Sequence, residues 1–210
     1  GYQQVETDAR GRVMKVLDSV PPRPGQDLTL HVDVGLQKAA SEALGDRRGT
    51  VVALDPATGG ILALVSKPSY DPNLFVTGID YQSYAELRDS GDVPLFNRAL
   101  QGQYEPGSTL KPFIALTGLM TGTTTPEFTI HDDPGWFKLP NNSRLYRDWN
   151  WKKDGRGGHG DVNLQKAIYR SCNVYFFDLA VKLGIDRIHE NLALFGFGLN
   201  TAIDLPEARS

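Results

Sequence analysis

Apolar positions recur along this chain with period two near its start and with helical period further on, so paired strands precede helices. Leu28-Thr29-Leu30-His31-Val32 alternates apolar and polar residues, the pattern of a half-buried strand. Asp33 then offers an N-cap to a helix predicted over residues 36–44, with Leu36, Ala39, Ala40, Ala43 and Leu44 on its inner stripe and Gly45 as its stop. Residues 50–54 and 61–65 are two apolar runs joined by Asp55-Pro56-Ala57-Thr58-Gly59-Gly60, which reads as an antiparallel hairpin with a longer loop. A helix is predicted over 81–90, inside an otherwise loop-like stretch covering 67–103. Another starts at Ser108, carries Phe113, Ile114, Leu116, Thr117, Leu119 and Met120, and ends at Thr121-Gly122. Residues 123–163 hold few periodic apolar positions, many glycines and all three tryptophans. Helices over 164–169, 175–183 and 188–195 complete the pattern, and the whole predicts an α+β domain.

Residues 1–29 are polar and turn-rich, and Pro21-Pro22-Arg23-Pro24-Gly25 reads as a stiff connector between units. At 210 residues and 40% apolar content the chain can bury one sizeable core. The net charge of −3 is made of scattered residues, which argues against nucleic acid or an anionic membrane surface as the main partner. No apolar run approaches the ~20 residues of a membrane span. The single cysteine excludes an internal disulfide.

The chemistry concentrates in Tyr104-Glu105-Pro106-Gly107-Ser108-Thr109-Leu110-Lys111-Pro112-Phe113. Ser108 and Lys111 lie one helical turn apart and share a face. A serine alcohol is a poor nucleophile until a neighbour takes its proton, and an amine shielded from water can do so. A helix N-terminus at Ser108 would also favour developing negative charge. By itself Ser-x-x-Lys is equally a capping serine with an exposed lysine. Ser171-Cys172-Asn173 adds weight: in a tight loop Ser171 and Asn173 face one side, where Ser171 can relay a proton beside Lys111 and Asn173 can bind a substrate amide.

The block from Glu105 to Phe113, Ser171-Cys172-Asn173 and the hairpin loop opening Asp55-Pro56 resemble the penicillin-binding transpeptidases. Asp133-Pro134-Gly135-Trp136, Tyr146-Arg147-Asp148-Trp149 and Phe195-Gly196-Phe197-Gly198 bring the resemblance closest to the penicillin-binding protein 2 group, the elongation-specific class B enzymes. The resemblance implies the penicillin-binding/serine transpeptidase fold, an antiparallel sheet flanked by helices, present here in its N-terminal part. Residues 1–29 would end an N-terminal pedestal region and 30–210 would be the front of the transpeptidase domain. It implies a periplasmic domain of an inner-membrane-anchored protein, acting in cell elongation and rod shape. The reaction would be D,D-transpeptidation of peptidoglycan stem peptides through an acyl-Ser108 intermediate that β-lactams also form, with no cofactor for catalysis. Implied partners are a SEDS glycosyltransferase and elongation scaffold proteins. The family's third motif, Lys-Thr-Gly on a sheet-edge strand, is absent, and Lys182-Leu183-Gly184 at a helix end does not replace it. The chain alone is therefore expected to give no turnover. A serine β-lactamase and a β-lactam-sensing or catalytically silent binding module remain as alternatives, although no Glu-x-x-Leu-Asn element of the class A lactamase type is present.

Asp133, Asp148, His159 and Cys172 form a second constellation, with Asp132 and Asp154 as rival ligands. Cys172 faces away from the cleft if Ser171 and Asn173 face into it, and His159 lies in a loop too glycine-rich to hold its shape unaided. Carboxylate, imidazole and thiolate suit a closed, tetrahedral structural zinc site. The resemblance implies zinc on such ligands in some penicillin-binding protein 2 members. The bland alternative is a buried free thiol, two surface or capping aspartates and a loop histidine. Trp136, Trp149 and Trp151 are candidates for a peptide groove or for core packing.

Overall fold

In the computed structural model, which describes residues 1–206, the chain divides into two compact units, Gly1–Val65 and Ser66–Ser210. Residues 207–210, to which the sequence-based domain range extends, lie outside the described residues. The first unit opens on a hairpin that the polar composition concealed. Strands β1 (Tyr2–Thr7) and β2 (Val13–Val20) pair antiparallel, from Tyr2 opposite Val20 to Thr7 opposite Val13. Asp8 closes the turn by accepting the Arg10 and Arg12 N–H groups at 2.9 and 3.0 Å. Residues 2–20 thus form a hairpin, and the proline segment follows it.

The predicted strand at 28–32 is not formed, because Leu28 and Leu30 stay exposed and have no face to bury. The segment instead docks through the Asp33 N–H, which donates to Leu62 O at 2.9 Å. Asp33 caps α1 (Val34–Leu44) as expected, accepting from Leu36 N–H, and Gly45 ends it. The inner face of α1 is set by a polar residue: Gln37 donates to Leu64 O at 2.9 Å and accepts the Leu64 N–H at 2.8 Å. Leu36, assigned to that face by periodicity, is exposed. The predicted hairpin is present as β3 (Gly49–Leu54) and β4 (Ile61–Lys67), paired in one sheet.

In the second unit α2 (Tyr81–Asp89) and the single turn α3 (Arg98–Gln101) precede the 3-10 turn Gly107–Leu110 and α4 (Lys111–Met120). The inward side of α4 is made of small residues: Ala115, Thr117 and Gly118 are buried while Leu116, Leu119 and Met120 are exposed. A Cβ on Gly118 would lie 2.8 Å from Thr124 Cγ2 and 3.1 Å from the Leu179 methyls, so its absence lets α4 approach the next layer. Short strands β5 (Thr129–His131) and β8 (Asp161–Asn163) pair antiparallel, as do β6 (Trp136–Lys138) and β7 (Leu145–Arg147) between them. Three-residue strands leave too short a pattern for periodicity to register. Helices α5 (Leu164–Tyr169), α6 (Asn173–Leu183) and α7 (Ile185–Ala193) follow. The core forms around α6, where Val174, Tyr175, Phe176, Leu179 and Leu183 meet Ala115, Val162, Leu164 and Ala167. The Tyr175 hydroxyl, inside this layer, pairs with Thr124 Oγ1 at 2.8 Å.

Candidate active site

Ser108 lies in the 3-10 turn just before α4 rather than within the helix. Gly107 enters that turn at φ +54°, a conformation open to glycine, and Thr109 Oγ1 ties it by donating to Pro106 O at 2.6 Å. The Ser108 carbonyl accepts the Lys111 N–H, so Pro112, in the first turn of α4, removes no needed donor. Ser108 is exposed and Lys111 half-buried.

The link between alcohol and amine runs through Ser171. Ser171 Oγ lies 3.0 Å from Ser108 Oγ and 3.0 Å from Lys111 Nζ. Lys111 Nζ also donates to Ser171 O and to Asn173 Oδ1, both at 2.6 Å. A neutral amine has two N–H groups for those two carbonyl-type oxygens and one lone pair left for the Ser171 hydroxyl. Burial lowers the Lys111 pKa from its ordinary value, against the pull of Asp148 and Cys172, which favour the charged form. The centroid of the Phe176 ring lies 5.5 Å from Nζ.

Ser171 owes its place to the way α5 ends. Cys172 N–H donates to Ala167 O at 3.0 Å and Ser171 N–H to Ile168 O at 3.0 Å, the paired bonds of a Schellman motif. Ser171 occupies its left-handed position with φ +54°, where glycine is the usual residue. One residue on, Cys172 turns into the core and caps α6, its Sγ accepting the Tyr175 N–H at 3.4 Å. Asn173 is fixed by its backbone N–H, which donates to Asp148 Oδ2 at 2.7 Å. Sequence reasoning missed this role of Asp148, since a carboxylate reaching a backbone group 25 residues away leaves no local signal.

The second constellation also assembles, with one substitution of ligand. Asp132, Asp148, His159 and Cys172 place one donor atom each within 4.8 Å of one another. His159 Nδ1 is 2.6 Å from Asp132 Oδ2 and 3.7 Å from Asp148 Oδ2, and Cys172 Sγ is 3.4 Å from Asp132 Oδ2. Asp133 is not among them. It is exposed, accepts the Gly160 N–H at 3.0 Å and lies 3.5 Å from His131 Nε2. Adjacent residues entering a turn face opposite ways, so only one of the pair reaches the interior, and it is Asp132. Asp154, the other rival, pairs with Arg156 at the surface. The loops meet through glycine: a Cβ on Gly135 would lie 2.8 Å from Gly158 N, and one on Gly158 would collide with Asp133.

The donor set fits a metal ion. Asp132 Oδ1 and His159 Nε2 are buried without a hydrogen-bond partner, an expensive state that a metal or its proton equivalents would relieve. Two buried carboxylates side by side repel, and burial raises the Asp132 pKa while pushing the Cys172 thiol up to about 12. A divalent cation is the group that would reverse both penalties.

A 3-10 turn that leads into a helix and carries a serine, an amine one turn on, and a Ser-x-Asn loop closing over both are the groups that acyl transfer through a serine uses. The family comparison agrees: the model of the penicillin binding protein transpeptidase domain matches residues 49–210, and the chain belongs to that family. The peptidoglycan D,D-transpeptidase MrdA of Acinetobacter baumannii is 50% identical over 206 residues, covering 98% of this chain and 30% of that protein. Penicillin-binding protein 2 of Pseudomonas aeruginosa, solved in complex with WCK 5153, superposes with a TM-score of 0.81 at 55% identity, over 89% of this chain and 41% of that one. Helicobacter pylori penicillin-binding protein 2 in complex with MreC gives 0.79 at 33% identity, over 98% and 37%. The fold is therefore the penicillin-binding transpeptidase fold, as the motifs implied, and the chain spans about a third of the length of the curated relatives it matches.

Proposed function

We propose that the full-length protein is a peptidoglycan D,D-transpeptidase that cross-links stem peptides during cell elongation. The observation that supports this is the continuous path Ser108–Ser171–Lys111, with both oxygen-to-oxygen and oxygen-to-nitrogen steps at 3.0 Å. Ser108 Oγ attacks the carbonyl carbon between the two D-alanines, and its proton passes through Ser171 to the Lys111 lone pair. The Ser108 N–H, at the N-terminal end of its turn, is one donor to the oxyanion. The carbon–nitrogen bond breaks, the departing D-Ala amine takes the proton back along the same path, and an acyl ester remains. An acceptor amine on a neighbouring stem then attacks the ester and gives up a proton to Lys111 through Ser171, the bond from the carbonyl carbon to Ser108 Oγ breaks, and the leaving Ser108 oxygen takes that proton back along the same path. Asn173 is placed to bind the donor's amide while holding Lys111.

Zinc is proposed at Asp132, Asp148, His159 and Cys172 as a structural ion. Asp148 and Cys172 belong to that cluster and also position Asn173 and the start of α6, so the ion would brace the catalytic loop from behind. When bound it would supply charge neutralisation for two buried carboxylates and take no part in acyl transfer. The resemblance further supports a periplasmic location on an inner-membrane anchor, a scaffold of the MreC kind and a SEDS glycosyltransferase as partners. No helix of the described residues is long and apolar enough to cross a membrane. The test is labelling of the full-length protein with a fluorescent penicillin, together with release of D-Ala from a stem-peptide mimic. Labelling that disappears in Ser108→Ala and D-Ala release that needs an added amine support the transferase. Labelling without amine-dependent release identifies a sensor, rapid loss of label a lactamase, and no labelling overturns the acyl-serine reading.

A further inference from the structure

The outer faces of the β5–β8 pair and of α5 meet in a cleft of about 310 Å³, lined by Thr129, Asp161, Asn163, Gln165, Lys166 and Tyr169. Strand alternation builds its floor: Ile130 and Val162 turn to the core, so Asp161 and Asn163 face outward, with Thr129 opposite Asn163. Helical spacing builds its wall, because Leu164 and Ala167 take the buried side of α5 and leave Gln165, Lys166 and Tyr169 outside. The Asn163 amide is fixed by capping α5, its Oδ1 accepting the Lys166 N–H at 2.9 Å, while its NH₂ group has no partner among the described residues. The Gln165 amide has none there either. Lys166 Nζ donates to His159 O at 2.7 Å and to Asp161 O at 2.8 Å, which leaves one N–H of its ammonium. Asp161 gives one carboxylate oxygen to His131 Nδ1 at 2.8 Å and keeps the other. Tyr169 is 65% exposed, with the Arg170 guanidinium 5.8 Å from its ring centroid.

Ligand clefts are ordinarily lined by apolar side chains. This one presents two planar amides, a carboxylate, an ammonium and one aromatic ring. Asp161 opposes an anion and Lys166 opposes a cation, which favours a neutral ligand rich in hydroxyl and amide groups. A pyranose is such a ligand: its C–H face covers an aromatic ring while its hydroxyls and an N-acetyl group exchange hydrogen bonds with amides and carboxylate. The cleft also adjoins the proton path. Tyr169 Cα is no more than about 7.6 Å from Ser171 Cα, two residues on, and Ser171 N–H is tied to Ile168 O at 3.0 Å. At up to about 3.6 Å per residue, a short stem peptide joins a sugar in the cleft to a scissile bond at Ser108.

We propose that this cleft is a saccharide subsite, which holds an N-acetylated pyranose of the glycan strand whose stem peptide is being cross-linked. Tyr169 is the ring on which the sugar lies, and Asn163, Gln165 and Asp161 take its polar groups. The role in cross-linking rests on the transpeptidase reading above, whereas sugar binding itself does not. Two measurements on the full-length protein test it. The first compares D-Ala release from one stem peptide, free and joined to an N-acetylglucosamine–N-acetylmuramic acid disaccharide, with the acceptor amine held constant. The ratio of kcat/KM, joined over free, should fall about tenfold in Tyr169→Ala, fall about threefold in Gln165→Ala and stay within about threefold of the parent in Tyr169→Phe. A disordered loop lowers both constants together, so a ratio unchanged in Tyr169→Ala and Gln165→Ala overturns the subsite. The second measurement is saturation-transfer NMR with N,N′-diacetylchitobiose on Ser108→Ala, in which no acylation takes part. Transfer to the sugar that is lost when Tyr169→Ala or Gln165→Ala is added supports the subsite, and no transfer, or transfer that both substitutions leave unchanged, overturns it. Sugar transfer without D-Ala release from either substrate by the parent protein would keep the subsite and remove the transpeptidase reading.

Discussion

At Lys111 three acceptors converge on one nitrogen, and how many hydrogens that nitrogen carries decides whether the site is a base or a salt-bridge partner without a salt bridge. Two of the acceptors, Ser171 O and Asn173 Oδ1, are carbonyl-type oxygens that can only accept, whereas Ser171 Oγ can donate as well. The neutral amine gives its two N–H groups to the carbonyl-type oxygens and turns its one lone pair to the Ser171 hydroxyl, on the path to Ser108. Ser171 holds this arrangement at a cost, because its left-handed backbone suits glycine better. The hydroxyl and the strain can be separated by two substitutions. Ser171→Ala and Ser171→Gly both remove the relay and should slow β-lactam acylation by about 10²–10⁴-fold. Ser171→Gly should nevertheless be the more stable of the two by about 1 kcal/mol, since only alanine keeps a Cβ at positive φ. Equal denaturation midpoints would show that the turn carries no such strain.

Among the elements, α4 and α6 carry the serine, the amine and the asparagine, and their separation is set at Gly118. Gly118→Ala should destabilise the fold by about 1–3 kcal/mol, because Thr124 and Leu179 stand too close for a methyl group. Chemical denaturation measures it, and an unchanged midpoint would mean that α4 yields without cost. What was legible in the sequence follows from the range of the forces involved. The α5 bounds, the Asp33 cap, the Gly45 stop and the β3–β4 hairpin are local decisions, written in neighbouring residues. Ser108, Lys111, Ser171 and Asn173 were legible as a motif, and the structure brings them together. The strands β5 to β8 were not, being three residues each and held by partners far along the chain. Gln37 was invisible on the inner face of α1, because periodicity counts apolar residues and this contact is polar. Choosing between Asp132 and Asp133 needed the direction of a turn, which composition does not encode.

For the molecule as a whole, the buried cluster behind the catalytic loop ties stability to catalysis. Asp148 belongs to the cluster and holds Asn173, so losing the proposed ion should loosen the group that orients Lys111. Treatment of the full-length protein with a strong chelator should lower its melting temperature and its acylation rate together, with zinc restoring both. Absence of zinc by elemental analysis alongside an unchanged melting temperature would contradict the structural ion. The central claim concerns the amine, and its state depends on how completely the surrounding protein shields it. The most direct measurement is therefore the pH dependence of Ser108 acylation in the full-length protein. Only the neutral amine accepts the proton, so the rate rises with pH as Lys111 loses its charge. Burial lowers the Lys111 pKa, so the account predicts a rise that levels off below the ordinary lysine value of 10.5. A rate that climbs through 10.5 as an exposed lysine would dictate, and that survives Lys111→Met, would contradict it.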